Sequence, residues 1–577
     1  EEDNFIIGQS LDEIEKNFSN WPRSHGGFSS SRFSSLKLIN KNNINKLKHA
    51  WTYNSKDGEK GIQANPVVFD GKIYIPTPGN SIVCLDGSNG KVIWKRKIER
   101  GAHVAKRGLL IWENKKNNVS RLFFTNDDQL IALNAKTGEL IKKFGENGII
   151  KIGSSPTTPV IIDNSLIVGT FRPAIEAYDV ETGTLKWKFY LRELEKNIFG
   201  KKDFRGGNPW GGISADLKRG LIFLTTGNPW PKNYGTLRPG NNLLANSVIA
   251  FDIREKKKLW HFQETCHDLW NFDISAPPIL TTINKYDKRI DVVVVPTKLG
   301  NTLILDRYTG QPIFDYRKML APASKIPGEK TCKYQPFLEL PEPFAKNIFT
   351  KDDITDLNIS STNYIKKIVE NSNFGFFEPF ELNKFTIYYN AGGGAQWTGA
   401  SVDPYKNIMY VTANNIAVSL KLLPHKDSKF KLINPREEAF RDPEGYPGTK
   451  PPWGTITAIN LNTGKIKWQV PLGHYEELKS KGLITGTENY GGATATAGGL
   501  VFAGGTLDKL FRAFDTDTGE ELWSYKLPFI GSAPPTSYEI NGEQYIIIPA
   551  TGGITLKMNY FYNVTQGDAF VAFKIQQ

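Results

Sequence analysis

Two tryptophans occupy the same kind of setting. Trp210 lies in GGNPWGGISAD (206–216) and Trp397 in GGGAQWTGASVD (392–403), each after a glycine-rich run and just before a short apolar strand. A flat indole so placed can stack on a planar ligand. Polar groups cluster in TTGNPW (225–230), TCHDLWNFDISAPP (265–278) and VVPTKLGNTLILD (294–306). These supply Asn228, whose amide oxygen suits a hard cation, the carboxylates Asp268 and Asp273, and Lys298 with a glycine close behind. Calcium takes oxygen donors of this type. By spacing alone, each also reads as a turn residue or a solvated charge.

An internal repeat provides the frame these segments need. SIVCLDGSNGKVIW places Asp86, Gly90 and Trp94 at steps of four, and the same spacing returns at Asp179/Gly183/Trp187 and Asp515/Gly519/Trp523. Weaker copies stand at Asn134/Gly138/Lys142, Asp252/Lys256/Trp260, Asp306/Gly310/Phe314 and Asn460/Gly464/Trp468, making seven. Each predicts a β-hairpin whose turn holds the glycine and whose second strand carries an aromatic packed between neighbours. Two more short strands precede each hairpin, and four antiparallel strands make one propeller blade. The last blade stops one strand short, while LKHAWTY (47–53) is a strand without a hairpin partner. The fold expected is therefore all-β: a single eight-bladed propeller of four-stranded antiparallel blades over 1–577, closed by the N-terminal strand, which removes open sheet edges. The long interval between Asp306 and Asn460 predicts insertions at about 315–390, with a short helix near Asp352–Leu357, and at 424–452, both as loops over one face.

At 577 residues with 39% hydrophobic and 23% charged residues, the chain is an ordinary globular protein with ample core. No apolar run approaches the roughly 20 residues of a membrane helix, so peripheral membrane contact is the most that is expected. The net charge of +13 is spread as single Lys and Arg, which argues against nucleic acid as a partner. Cys84, Cys266 and Cys332 form neither a C-x-x-C-H haem attachment nor a zinc spacing, and leave room for one disulfide.

Taken together, the Asp-x-x-x-Gly-x-x-x-Trp hairpins, GGNPWGG, Gly-Asn-Pro, HDLWNFD followed by TKLGN, and TAGGLVFAGGTLDKLFRAFD (496–515) resemble the pyrroloquinoline-quinone (PQQ) dependent dehydrogenases over nearly the whole chain. The likeness is greater to the membrane-type glucose and quinate branch. The adjacent cysteine pair of the methanol type is absent, and HVAKRG (103–108) is similar to the glucose-type segment. The resemblance implies that Trp210 stacks on the quinone, Arg107 reaches a PQQ carboxylate and Lys298 stands at the reactive quinone oxygens. It implies that Asn228 ligates Ca²⁺ (or Mg²⁺), that Asp508 lies near the cofactor, and that Gln396 and Trp397 contact it from the other side. It further implies hydride transfer from a sugar, polyol or other alcohol, with electrons passing to a quinone or a soluble cytochrome c.

Several positions depart from the family pattern. Asn271 occupies the place of the family base, and an amide cannot accept that proton, although its carbonyl can ligate a metal. Gln63 takes what resembles a family Glu position among the cofactor contacts. The calcium-binding Glu has no counterpart in the short turn between Gly169 and Ile175, and Gly79 and Ile554 stand where sugar-pocket histidines are expected. Asp273 or Asp268 is then the base, or the chain turns over slowly, or its substrate needs little proton abstraction. A non-catalytic propeller scaffold of the outer-membrane assembly type is the alternative. The chain begins Glu-Glu-Asp with no leader pattern, so any leader is expected to have been removed already, and the resemblance implies a periplasmic location.

Overall fold

The computed structural model describes residues 20–114, 119–171, 173–191, 205–389, 392–424, 433–553 and 564–576. It is all-β, built mainly of four-stranded antiparallel sheets whose strands follow chain order. The first runs through Val67–Phe69, Lys72–Pro76, Ser81–Asp86 and Val92–Lys97. Sheets of the same plan follow, among them Val160–Ile162, Ser165–Thr170, Ala174–Asp179 and Leu185–Tyr190, and later Ala400–Asp403, Ile408–Asn414, Gly454–Asn460 and Ile466–Pro471. The sheet Ile279–Lys285, Lys288–Pro296, Thr302–Asp306 has three strands, and that of Ala493–Thr496 gains a fifth, Phe33–Ser34, in parallel. The N-terminal strand expected at 47–53 is Leu47–Asn54, and it pairs antiparallel with Ala569–Ile575 of the last sheet.

The repeat is legible in hydrogen bonds. In each hairpin the glycine N–H donates to the carbonyl of the repeat Asp or Asn, as Gly90 does to Asp86 and Gly519 to Asp515. That glycine has positive φ (+75° at Gly138), and a Cβ there would fall 2.5 Å from the ring of Trp94 in the preceding sheet. Lys256 adopts the same left-handed conformation, which is why the copy at Asp252 tolerates a non-glycine turn.

Aromatics carry the structure from sheet to sheet. Trp51 Nε1 donates to Gly87 O, Trp94 to Ala135 O, Trp260 to Arg307 O, Trp468 to Thr516 O and Trp523 to Leu47 O, at 3.0–3.2 Å. Arg121 reaches Val180 O at 2.9 Å, Trp187 stacks on Phe251, and Phe314 packs against Gly464. These contacts lead from each sheet to the next and return to the first. Ile73, Val83 and Leu85 of the first sheet share a core with Tyr545, Ile547 and Phe570 of the last.

One feature had no signal in the repeat. Residues 21–33 touch the leading strands of successive sheets in order. Trp21 bridges Val68 and Arg23 bridges Leu110; Phe28 O accepts from Ala215, Ser29 O from Leu280 and Ser31 O from Val402; Phe33 pairs with Ala495. A strip of polar and small residues can do this because its backbone N–H and carbonyl groups find partners on those strands.

The insertion is more ordered than the loops expected. It contains a hairpin (Arg317–Leu320 with Tyr334–Phe337), a helix (Ile359–Glu370) and a sheet joining Asn373–Phe374, Thr386–Tyr389, Ala417–Pro424 and Ile433–Ala439. The short helix expected near Asp352–Leu357 is instead a 3₁₀ turn at Lys351–Asp353. The true helix starts later because Asn358 is the residue that caps it, accepting the Ser361 N–H at 2.8 Å. Cys266 and Cys332 form the disulfide, which ties the inserted hairpin to the 265–278 segment, and Cys84 is buried and free. No helix of the described residues is long and apolar enough to cross a membrane.

Candidate active site

The 265–273 loop is fixed from several sides. Cys266 carries the disulfide, and buried His267 binds Gly240 O and Glu329 Oε1, each at 2.6 Å. Asp268 is wholly buried and accepts the N–H groups of Trp270 and Phe272 at 2.8 Å and Asn246 Nδ2 at 3.0 Å. Burial raises its carboxyl above the usual range. Asp268 therefore shapes the loop, and its oxygens are turned inward, away from a base's role. Asn271 takes a left-handed backbone (φ +65°), which Asn tolerates well.

Asp273 emerges from this loop between two donors. Its Oδ2 accepts Trp210 Nε1 at 2.9 Å and its Oδ1 lies 3.3 Å from Lys298 Nζ. The side chains of Lys298 and Asp273 are only 6% and 7% exposed, so this ion pair is shielded from solvent. Lys298 Nζ also donates to Asn271 O at 3.1 Å. Its own loop is pinned underneath by Glu264, whose Oε1 accepts Thr297 Oγ1 and Asn301 Nδ2, both at 2.9 Å. Burial pushes the Glu264 carboxyl up to about 7.

The GGGAQW loop lies against Lys298: Gly394 N–H donates to Lys298 O at 2.7 Å, and Ala395 N–H to Thr297 O at 3.0 Å. It presents Trp397, stacked on Tyr490 at 5.4 Å. The Arg107 guanidinium spans both indoles, 4.7 Å from the ring of Trp397 and 5.3 Å from that of Trp210. Its Nη1 donates to Gln63 Oε1 at 2.6 Å. Burial, with the charge of Arg32 second, lowers Arg107 to about 9. Gln63, Arg107 and Trp397 open onto a cavity of about 350 Å³ that Lys60, His103 and Lys106 also line. Lys106 is lowered to about 8 by burial, then by Arg107 and Lys60.

Contacts thus run from Trp210 through Asp273, Lys298, the GGGAQW loop and Arg107 back to Trp210. Of the residues singled out in the sequence, these bring together Gln63, Arg107, Trp210, Asn271, Asp273, Lys298, Gln396 and Trp397. Asn228 stands beside Trp210 through paired backbone: Gly207 N–H donates to Asn228 O, and Gly227 and Trp210 N–H groups both donate to Asn208 O. Asp508 is turned elsewhere. It accepts Thr506 Oγ1, Leu510 N–H, His474 N–H and the Arg512 guanidinium, which hold its carboxyl low despite burial. Its hydrogen bonds go into that network and not to Arg107, Trp210 or Lys298. Gly79 has no room for a histidine, since a Cβ there would lie 2.0 Å from Asp57 O; Ile554 lies outside the described residues. Thr170 pairs with Ala174, which confirms the short turn.

The unmet polar atoms say what this arrangement accepts. Trp397 Nε1, Gln396 Nε2 and Arg107 Nε are buried donors with no acceptor among the described residues. Between indole faces, such donors fit a flat molecule bearing carbonyl and carboxylate oxygens. Asn208 Oδ1 is a buried acceptor with no donor among the described residues. The oxygens of Asn208, Asn228 and Asn271 with one carboxylate, Asp273, have the chemistry for a hard cation but little charge to hold it. Among the described residues no group of three or more His, Cys, Asp or Glu side chains forms a metal cluster. Asn208 and Tyr490 were missed from sequence: Asn208 lies within GGNPWGG, where only Trp210 was singled out, and Tyr490 carries no local pattern.

The PQQ family profile described as "glucose/ethanol/alcohol dehydrogenase, beta-propeller domain" matches residues 21–546. The chain belongs to this family. Membership makes it a PQQ-dependent oxidoreductase of alcohols or sugars. Quinoprotein glucose dehydrogenase A of Acinetobacter calcoaceticus is 27% identical, with 96% of this chain and 79% of that protein aligned. Quinate/shikimate dehydrogenase (quinone) of Acinetobacter baylyi is 28% identical over 92% of this chain and 77% of its own length. Among solved structures, a europium-containing methanol dehydrogenase superposes with a TM-score of 0.72 at 21% identity, covering 98% of this chain and 99% of that one, and shares the fold.

Proposed function

We propose that this quinoprotein oxidises a sugar, polyol or other alcohol with Asp273 as the base, in place of the family residue that Asn271 has replaced. The observation that carries this reading is the buried Asp273 carboxylate held between Lys298 Nζ and Trp210 Nε1, beside Arg107 and the two indoles. Trp210, Trp397, Gln396, Gln63 and Arg107 would hold PQQ, which supplies the two-electron oxidant that accepts hydride from the carbinol C–H. Asp273 takes the hydroxyl proton. Lys298 neutralises Asp273 before the proton moves and presents positive charge where negative charge develops. Asp268 and Glu264 fix the two loops that carry this pair. Asn228 and Asn271, with Asn208, would hold a cation, Ca²⁺ before Mg²⁺, loosely because amides replace carboxylates.

The sheets are read as eight blades of one closed ring spanning the chain, with residues 21–33 threading its centre. Electrons leave to a quinone or a soluble cytochrome c, in a periplasmic setting. A pure scaffold would have no use for buried donors set between indole faces. The test is reconstitution with PQQ and Ca²⁺, followed by dye reduction with glucose, quinate, straight-chain polyols and primary alcohols. Reduction with at least one class, together with quenching of tryptophan fluorescence by PQQ, is expected. Indifference to micromolar PQQ in both measurements would overturn the assignment.

A further inference from the structure

The central strip carries charges that the catalytic reading does not use. Arg32 is 1% exposed; its Nε donates to Asn65 Oδ1 at 3.1 Å and its Nη2 lies 2.6 Å from His25 Nδ1. The other ring nitrogen of His25 meets Thr158 Oγ1 at 3.2 Å. Arg32 Nη1 has no acceptor among the described residues. It packs on Gly399, where a Cβ would lie only 2.4 Å away, so only a residue without a side chain leaves this nitrogen uncovered there. Arg107 stands close by, since Gly108 packs on Ser24 and Thr158. Among the described residues neither Arg32 nor Arg107 makes an ion pair with a carboxylate.

Burial lowers Arg32 to about 9, with Arg23 as the second cause, and nothing acidic offsets it. His25 is held well below its ordinary value by burial and by Arg32, Arg23 and Arg107, so it stays neutral and brings no compensating charge. Buried guanidinium charge without a counter-charge is strongly unfavourable, whereas a paired one is tolerated. We propose that Arg32 Nη1, beside His25 and Gly399, is the donor of a small-anion site, filled by a single negative charge from a free halide or from a carboxylate of the cofactor. Only the second source rests on the PQQ reading.

Crystals of the PQQ-free protein grown in sodium bromide, with anomalous data, test the first source. PQQ-loaded crystals in a halide-free zwitterionic sulfonate buffer test the second. A bromide peak or a carboxylate oxygen in contact with Nη1 is the expected result, and which crystal shows it identifies the source. In solution, bromide should raise the thermal midpoint of the PQQ-free protein above that in the same ionic strength of the sulfonate salt if the site takes free halide. Arg32→Gln should abolish that difference. Water at Nη1 in both crystals overturns the inference; should Arg32→Gln not fold, the wild-type crystals decide alone. If PQQ does not bind, the dehydrogenase reading fails while the bromide arm stands; if PQQ binds and Nη1 holds only water in both crystals, the anion site fails while the dehydrogenase reading stands.

Discussion

Replacing Asp273 by Asn keeps the shape and removes the charge. The amide can still accept one hydrogen bond, but its NH₂ must then face the other donor, Trp210 Nε1 or Lys298 Nζ, which lie 2.9 and 3.3 Å from the present oxygens. Lys298, 6% exposed, is left buried without its counter-charge. Breaking a buried pair in this way costs roughly 3–5 kcal/mol, and Lys298→Met is expected to cost a similar amount. The two losses share one interaction, so Asp273→Asn with Lys298→Met should fall short of the sum by about 2–3 kcal/mol. Urea unfolding of the four PQQ-free proteins, followed by fluorescence and circular dichroism so that coincident transitions can be checked, measures the cycle. Turnover of PQQ-loaded Asp273→Asn should drop by about 10²–10⁴, the usual contribution of a general base. PQQ affinity should survive largely, because Arg107, Trp397 and Gln63 are untouched. An Asp273→Asn protein with turnover within tenfold of wild type, or strictly additive stabilities, would refute the assignment of this carboxylate.

Three further outcomes are expected. Asn271→Asp adds a charged oxygen donor at a backbone that Asp also tolerates, so Ca²⁺ should bind several-fold more tightly in titrations of PQQ reconstitution; unchanged affinity would place the metal elsewhere. Gly227→Ala puts a methyl 2.5 Å from Trp210 Nε1 and 2.6 Å from Asp273 Oδ2, which should weaken PQQ binding more than about tenfold with normal circular dichroism; retained affinity would show that the Trp210–Asp273 bond is dispensable. Glu264 titrates near 7 when folded and near its ordinary 4.5 when unfolded, so between these values the folded state binds more protons and stability falls as pH rises, with the full cost present above 7. Glu264→Gln should flatten that slope and be more stable than wild type at pH 8, and a slope identical to wild type would contradict the buried-carboxyl argument.

The frame was readable because it repeats. One Asp-to-Gly turn says little, but seven at related spacing identify a hairpin that recurs, and the indole four residues on has a fixed partner in the next sheet. The site was readable in part for the opposite reason: Trp210, Lys298 and Asp273 sit outside the repeat, so their presence needed another explanation. TLDKLF does not disclose Arg512, which claims the Asp508 carboxylate through a fold-dependent contact. Asp268 and Asp273 look equivalent in HDLWNFD, and only the backbone turn, which points two N–H groups at Asp268, separates a loop-shaping acid from an available one. The strip SHGGFSSSRFSS reads as a polar loop, since its order comes wholly from sheets far away in sequence.

That strip bears on why such a site can be built at all. Trp210, Asp273, Lys298, Trp397 and Arg107 come from loops leading into different sheets, so their mutual distances depend on how the sheets are spaced around the centre. Side-chain bonds at the outer hairpins fix neighbouring sheets pairwise, and small errors would accumulate around a ring of such contacts. Residues 21–33 bond to the leading strands of most of these sheets in turn, a few residues beyond the loops of the candidate site: Ser31 to Val402, five residues after Trp397, and Ser29 to Leu280, seven after Asp273. A continuous backbone has nearly fixed dimensions. It therefore acts as an inner gauge for the spacing, and places the buried guanidiniums of Arg23 and Arg32, with neutral His25 between them in sequence, where the surrounding sheets shield them.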